Sequence, residues 1–426
     1  MKNDLLKELK RFEDDADQCM KCGFCSFVCP IYREERIESN VARGKNELIK
    51  AIFAGELEFS SELADRLYKC AACGACTESC PTNAHIPRLI VAARADIART
   101  EGIKFPYGFV YRRLLPNRML FGNLLKVSSF FQSTLMPKSN GAIRHLPNFL
   151  SGLSHGRQIP SIAHKFLRRQ IPVVNKPAQG IKPELRVGYF PGCMNEYVTP
   201  HLGIRTIEFL TRRKVEVVMP SVQGCCGAPV FLGGGDFETG RKLADVNVAA
   251  FEKFDYVVTD CATCSCAFEE YPRFLADTPE RKEAYTHFAG KIRHISQFIT
   301  DVLEIPASSY QTAAAVKGKK LTWHDPCHLN RHLGITQQPR KILQSLDEAQ
   351  YVEMPDAGRC CGMAGQFNLL YYDLSQKIAE KKIDSIDSTD ADIVVTSCPG
   401  CEFQLLDNLT RLNRPQKVMN LMEVLE

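Results

Sequence analysis

Gly358-Arg359-Cys360-Cys361-Gly362-Met363-Ala364-Gly365 sets two cysteines side by side and follows them with glycine. A disulfide between neighbours would close a small, strained ring, so a structural crosslink is a poor use for the pair. Adjacent residues of an extended chain send their side chains apart. Two such thiols therefore suit two separate bonding partners better than one. The glycine that follows lets the chain turn close to whatever they hold. The arrangement occurs once more, as Gly224-Cys225-Cys226-Gly227.

The two pairs are the centres of an internal repeat. The first copy opens with the strand-like RVGYFPGC, ending at Cys193; Cys225 and Cys226 follow after 31 residues, and Cys261 and Cys264 after 34 more. The second opens with LTWHDPC, ending at Cys327; Cys360 and Cys361 follow after 32 residues, and Cys398 and Cys401 after 36 more. The framework between them also repeats. KVEVVMP and AQYVEMP read as equivalent strands, ETGRKLADVNVAAFEKF and LSQKIAEKKIDSI as equivalent helices, and YVVTD and IVVTS as buried strands. Strands alternating with helices predict a parallel α/β sheet in each copy. Ligands of open α/β sheets gather beyond the carboxyl ends of the strands, where these cysteines fall.

The first hundred residues hold a second duplication. Cys19, Cys22, Cys25 and Cys29 precede Pro30, and Cys70, Cys73, Cys76 and Cys80 precede Pro81, each run reading C-x2-C-x2-C-x3-C-P. That is the bacterial ferredoxin spacing for a pair of 4Fe–4S cubanes, in which the fourth cysteine of each run serves the other cluster. One cubane is assigned to Cys19, Cys22, Cys25 and Cys80, the other to Cys70, Cys73, Cys76 and Cys29. Gly23 and Gly74 supply the positive φ that such loops need. Zinc also takes CxxC pairs, but two complete four-cysteine runs followed by proline disfavour it. GKNELIKAIFAG and SSELADRLYK are expected as amphipathic helices packing the module.

The chain of 426 residues is long enough for two or three domains. The boundaries read as 1–100 for the two-cluster module, 101–183 for a basic helical connector, 184–315 for the first copy and 316–426 for the second. Overall the fold class is α+β: a mostly helical ferredoxin-like module followed by two pseudo-symmetric α/β domains. The charged start and the absence of a long uncharged apolar run predict neither a secretory signal nor a spanning helix, hence a cytoplasmic protein. Stable disulfides are rare there, so 19 cysteines argue for metal. The net charge of +5 conceals an asymmetry: residues 100–182 carry 13 Lys and Arg against Glu101, a net of +12, which leaves −7 for the rest. FVYRRLL, RMLFGNLLKVSSFFQSTL and IPSIAHKFLRRQ are predicted as helical pieces between Pro106, Pro116, Pro137, Pro147, Pro160 and Pro172. This composition suits a basic amphipathic surface element, or a connector whose apolar side packs on the protein itself.

The repeat, a lone cysteine, a CCG pair and C-x2-C at these intervals, resembles the cysteine-rich CCG domain found twice in heterodisulfide reductase catalytic subunits. Two ferredoxin runs followed by two CCG domains resemble the iron–sulfur subunits of glycolate oxidase and related D-lactate dehydrogenases. The anaerobic glycerol-3-phosphate dehydrogenase iron–sulfur subunit and the fused heterodisulfide reductase subunit are similar in layout. The resemblance implies up to two noncubane 4Fe–4S clusters, each built like fused 3Fe–4S and 2Fe–2S parts. By motif, one would use Cys193, Cys225, Cys226, Cys261 and Cys264, the other Cys327, Cys360, Cys361, Cys398 and Cys401. Several relatives have lost a ligand from one half; here both are complete. Cys266 is left over and is expected as a buried thiol. His324 and His328 flank Cys327 and are expected to fix the loop by hydrogen bonds rather than ligate. Gly233-Gly234-Gly235 lacks a phosphate-loop spacing and reads as a loop before a helix.

No flavin or nicotinamide fingerprint is visible. The resemblance therefore implies an electron-transfer subunit of an oxidoreductase complex oxidising a 2-hydroxy acid, glycolate or lactate. An FAD-containing dehydrogenase subunit would carry the hydride chemistry, and quinone, a cytochrome or another carrier would take the electrons. The alternative is a heterodisulfide reductase-type subunit that splits a disulfide at a CCG cluster. Residues 106–182 are expected to make peripheral contact with the inner face of the cytoplasmic membrane or with an acidic partner. Nucleic acid is not expected as a partner.

Overall fold

A computed structural model describes residues 6–135, 138–139, 142–143 and 158–426. Residues 1–5, and Pro137, Arg144, Pro147 and Arg157 of the basic segment, lie outside the described residues.

The amphipathic stretches near the N-terminus fold as their periodicity dictates. Helix α1 (Ala42–Phe53) buries Ile49 and Ile52. Helix α2 (Ser61–Tyr68) buries Leu63 and Leu67, and the Ser60 hydroxyl accepts from the Leu63 amide at 3.2 Å to cap it. Both pack on α3 (Ile86–Thr100), whose middle is buried on every side, with small residues such as Ala92 and Ala93 letting its neighbours approach. Asp96 on α3 accepts from the Glu8 and Leu9 amides, at 3.1 and 2.8 Å, and so ties down the chain's first turns.

In the connector, α4 (Arg118–Leu135) spans the predicted helix RMLFGNLLKVSSFFQSTL. The expectation of a helix over IPSIAHKFLRRQ is wrong. Ile159–Pro160 is instead one strand of a small antiparallel ribbon with Lys138–Ser139 and Ala142–Ile143, and Leu167–Arg169 forms a single 3-10 turn. The reason lies on α4. Gln132 accepts from the Ile162 amide at 3.0 Å and donates to its carbonyl, so the backbone groups a helix would use are already engaged.

Each CCG copy is an open sheet. The first contains β1 (Val174–Asn175), β2 (Leu185–Tyr189), β3 (Val215–Val218), β4 (Val257–Thr259) and β5 (Ile292–His294), in the order β1-β3-β2-β4-β5. Only the edge strand β1 runs antiparallel. The second contains β6 (Lys320–Trp323), β7 (Gln350–Val352), β8 (Ile393–Thr396) and β9 (Lys417–Asn420), all parallel, in the order β7-β6-β8-β9. β4 and β8 are buried along their whole length, as central parallel strands covered on both faces must be. In register, Leu185 faces Val215 in one sheet and Leu321 faces Ile393 in the other. Chain order reverses beside β2 in the first sheet and beside β6 in the second, and a crevice opens at the carboxyl ends of such neighbours.

Two apolar cores fix the relation of the modules. One is shared by both sheets, joining Val187, Tyr189 and Val258 to Leu321, Trp323 and Val394. The other joins the ferredoxin helices, through Leu9, Ile49 and Leu89, to the aromatic face of the first CCG domain, Phe190, Phe231, Phe268 and Tyr271. No helix among the described residues is long and apolar enough to cross a membrane.

Candidate metal centres

The ferredoxin runs wind into loops by left-handed residues. Lys21 and Ala72, each just before the second cysteine, have φ of 59° and 48°, and Gly23 and Gly74 follow at 87° and 75°. Gly74 also sits tightly against the second CCG domain, where a Cβ would lie 3.3 Å from both Arg331 and His332. Cys29, Cys70, Cys73 and Cys76 line one cavity of about 30 Å³. Cys19, Cys22, Cys25 and Cys80 line another of about 20 Å³, which Cys76 also borders. The fourth cysteine of each run thus joins the other run's three. Burial pushes the Cys29 thiol up to about 12. Cys76 is also driven well up, by burial first and then by neighbouring Cys70 and Cys73. Thiols so crowded cannot ionise unaided; the irons of a cluster supply the compensating charge, so the donor set fits that group.

Two buried cations brace the cavity of Cys29, Cys70, Cys73 and Cys76. Lys45 is inaccessible to solvent and donates to the Asn40 and Lys69 carbonyls, both at 2.8 Å. Arg94 donates to the Cys70 carbonyl at 2.6 Å and to Leu67 at 3.0 Å. Sequence reading passed over both, because a lysine or arginine on an amphipathic helix reads as solvated.

The CCG cysteines sit at the carboxyl ends of strands, though not on them. β2 stops at Tyr189 and β6 at Trp323; Cys193 lies on the helical turn Gly192–Tyr197 and Cys327 starts the turn His328–His332. Cys261 and Cys398 follow β4 and β8 and begin α5 (Ala262–Glu270) and α6 (Pro399–Arg411). In the first set, hydrogen bonding with Cys225 and then Cys264 holds the Cys226 thiol well down, and both partners are pushed up in return. Cys193 is the exposed member. In the second set Cys360 pairs with Cys327 and Cys361 meets Cys401 at 3.4 Å, while the two neighbours also hydrogen-bond to each other. Hydrogen bonds from Cys401 and Thr263, against burial, bring Cys398 down to about 6. Gly362, at φ 88°, passes so close to α7 (Tyr372–Asp387) that a Cβ would lie 2.6 Å from the Ser375 carbonyl.

His324 stands within 4.8 Å of Cys361 and Cys401, and both its buried ring nitrogens lack a partner. It therefore does not fix the loop by a protein hydrogen bond as expected. His328 does, with Nδ1 3.1 Å from the Thr263 hydroxyl, itself 3.3 Å from the Cys398 sulfur. Cys266 is buried as expected and hydrogen-bonds to His332. His332 also lies beside Glu270 and has Nε2 3.0 Å from the Ala72 carbonyl in the ferredoxin loop. Nothing in the spacing of HLNRH pointed to that role. Gly233 closes the helical turn Pro229–Gly233, Gly234 and Gly235 link it to the next helix, and the Asp236 carboxylate caps that helix by accepting from the Thr239 amide at 3.0 Å.

The four sets adjoin one another. Cys73 of the ferredoxin module hydrogen-bonds to Cys360, and the two share an apolar cluster with Ala71 and Ala75. Cys261 and Cys398 are electrostatic neighbours, and the Ala262 amide donates to the Ser397 carbonyl at 3.1 Å between them. A cleft of about 510 Å³ reaches Cys73 and Cys360 from solvent, with Arg33, Arg331, Arg359 and Lys381 in its wall.

Fold and thiol arrangement define the class: a two-cluster ferredoxin module joined to tandem cysteine-rich domains. Comparison with known proteins agrees. Residues 187–269 and 321–406 match the family model of a cysteine-rich domain, and residues 15–84 that of a 4Fe-4S dicluster domain. The chain is 27% identical over 436 residues to the "Probable glycolate oxidase iron-sulfur subunit" of Bacillus subtilis (strain 168), covering 97% of this chain and 95% of that one. It is 33% identical over 241 residues to "Lactate utilization protein A" of Bacillus pumilus, covering 57% of this chain and 99% of that one. It is 26% identical over 420 residues to one subunit of the fumarate reductase (CoM/CoB) of Methanothermobacter marburgensis, covering 96% of this chain and 71% of that one. The chain belongs to the family of iron–sulfur subunits of the glycolate oxidase and lactate-utilisation type.

Proposed function

We propose that this chain is the electron-transfer subunit of a complex oxidising a 2-hydroxy acid, glycolate or lactate, through a separate FAD subunit. The observation that carries the reading is the contiguity of four cysteine sets. Cys19, Cys22, Cys25 and Cys80 adjoin Cys29, Cys70, Cys73 and Cys76; Cys73 touches Cys360, and Cys398 neighbours Cys261. When bound, clusters at these sets supply one-electron carriers. The chain's part is to hold them, exclude water and set their potentials by charge, hydrogen bonds and exposure around the sulfurs. The two ferredoxin runs hold cubanes, and the two CCG sets hold noncubane clusters. Quinone, a cytochrome or another carrier takes the electrons.

The connector favours a peripheral site of action, at an anionic membrane surface or an acidic partner. Its helix α4 turns Leu120, Leu124, Val127 and Phe131 outward at successive helical turns, with Met119 81% and Phe130 69% exposed beside them. Arg113 lies exposed one turn before it. Not every cation is free for docking: Arg112 pairs with Asp236, and Arg118 and Arg168 both pair with Glu196.

The experiment is to purify the native complex anaerobically and add glycolate or D-lactate. Reduction of all iron–sulfur signals in the presence of a copurifying flavoprotein supports the reading; a complex without a flavoprotein overturns it. The second reading, a disulfide reductase, rests on two complete CCG sets lying side by side. It requires the reduced chain to be reoxidised by a disulfide at a rate that matches turnover.

A further inference from the structure

The internal duplication makes each CCG half a control for the other. Counting from equivalent cysteines, His324 stands where the first half has Phe190, each three residues before the lone cysteine. Arg331 stands where the first half has Tyr197, four residues after it. Lys382 replaces Asn247, each twenty-one residues beyond the CCG pair, and Ser397 replaces Asp260, each just before the C-x2-C. All four exchanges make the second half more positive or more donating.

None of these groups is idle at the surface. Lys382 is wholly buried and donates to the Asp356 and Ala357 carbonyls, at 2.8 and 2.9 Å, just before the CCG pair. Its ammonium has no carboxylate partner among the described residues. Asn247, in the same place, is a neutral amide holding the Gly224 amide and the Cys225 carbonyl, both at 2.9 Å. Arg331 lies beside Cys73 and Cys327; its Nε pairs with the exposed Glu78 at 2.6 Å, while its Nη1 is buried without a partner. His324 offers two unpartnered nitrogens near Cys361 and Cys401, whereas Phe190 offers only a ring packed on Phe268. Of the acids that the second half adds, Asp325 is neutralised bidentately by Arg340 at 3.0 and 2.7 Å, and Glu402, which stands where the first half has Ser265, accepts a hydrogen bond from the Asn420 amide. In the first half, Arg118 and Arg168 are spent on Glu196, and Asp260 is buried close to Cys261.

A cation or N–H donor beside a cluster stabilises its reduced, more negative form and raises its potential. Buried charges act strongly because little solvent screens them. We propose that the two CCG centres are electrically unequal, the second being the higher-potential one, so that electrons collect beside Cys360 and the cleft rather than at Cys193. The proposal rests on the reading that both CCG sets hold clusters.

The test is an EPR-monitored redox titration of the full-length, anaerobically loaded chain. Two noncubane signals with separate midpoints are expected in the wild type. Lys382→Asn should move only the higher midpoint down, and Asn247→Lys only the lower one up. Should Lys382→Asn fail to load, His324→Phe is expected to give the same downward shift with full iron content, and His324→Asn, which keeps a donor, to restore part of it. A shift of the lower midpoint by Lys382→Asn or His324→Phe, or no shift with either, overturns the ordering. About eight irons and no noncubane signal would instead overturn the cluster reading on which it rests.

Discussion

Gly362→Ala tests whether the CCG loop is shaped by its contact with α7. Gly362 has a φ of 88°, and a side chain in left-handed backbone costs about 1–2 kcal/mol. The added Cβ would also lie 2.6 Å from the Ser375 carbonyl, which is helix backbone and cannot swing aside. Overpacking of that kind costs about 1–3 kcal/mol more, giving roughly 2–5 kcal/mol in all. Gly365, three residues on, isolates the two terms. Its φ is 55° with ψ −110°, yet nothing lies within 4 Å of an added Cβ, so Gly365→Ala should meet backbone strain alone, about 1–3 kcal/mol. Trp323 is the single tryptophan, buried in β6 at the heart of this domain. Its fluorescence during anaerobic denaturant unfolding therefore reports the domain directly. Gly362→Ala should unfold at the lower denaturant concentration, and iron analysis should show loss from the second CCG centre because Cys361 is its neighbour. Equal midpoints for the two variants would refute the contact argument, and a Gly362→Ala midpoint equal to wild type would refute the strain as well.

The fully loaded chain should contain roughly sixteen irons, checked by iron and sulfide analysis of intact protein; half that number would mean empty CCG sets. Cys361→Ala should abolish one noncubane EPR signal while both cubane signals survive. His332 is pressed down by burial, but Cys266 and Glu270 outweigh this and raise it well above its usual range. A raised histidine stabilises fully below its unfolded value of about 6.5 and loses that contribution as pH climbs through the folded value. The wild type should thus lose stability above neutrality, and His332→Gln should flatten that part of the pH–stability curve. Replacing Arg113 and Lys126 with glutamine, and Phe130 with serine, should weaken co-sedimentation with anionic vesicles, each cation contributing about 1 kcal/mol at low salt. Unchanged sedimentation, with intact cluster content, would count against membrane docking.

What the sequence made legible follows the range of its signals. The parallel sheets could be read because β2, β4, β6 and β8 are short apolar runs placed at matching distances from cysteines. The helix α4 could be read because its period is uninterrupted over 18 residues. IPSIAHKFLRRQ misled because its apolar spacing fits a helix while Gln132, thirty residues earlier, takes its backbone. The thiol sets were legible as sets, since each is written in two or three short runs at repeated intervals. Their adjacency was not, because Cys73 and Cys360, or Cys261 and Cys398, are brought together only by how modules pack. The same holds for Lys45 and Lys382, whose burial depends on carbonyls that loops present to them from outside their helices.

That packing gives the duplication its consequence. In an isolated CCG domain the lone cysteine, the CCG pair and the C-x2-C would face solvent at a sheet's end. Here Cys360 is covered by the ferredoxin loop at Cys73, and Cys398 by the first domain at Cys261 and Thr263. The second set is therefore covered from two sides and reached from solvent by the cleft beside Cys360, while Cys193 of the first is itself exposed. Enclosure lowers the local dielectric, so a buried ammonium such as Lys382 acts more strongly there than the same charge would at the open site. Ion pairing works against this at the first set, where Glu196 binds both nearby arginines. Two domains of one ancestry and nearly one cysteine spacing thus acquire different electrostatics from their neighbours.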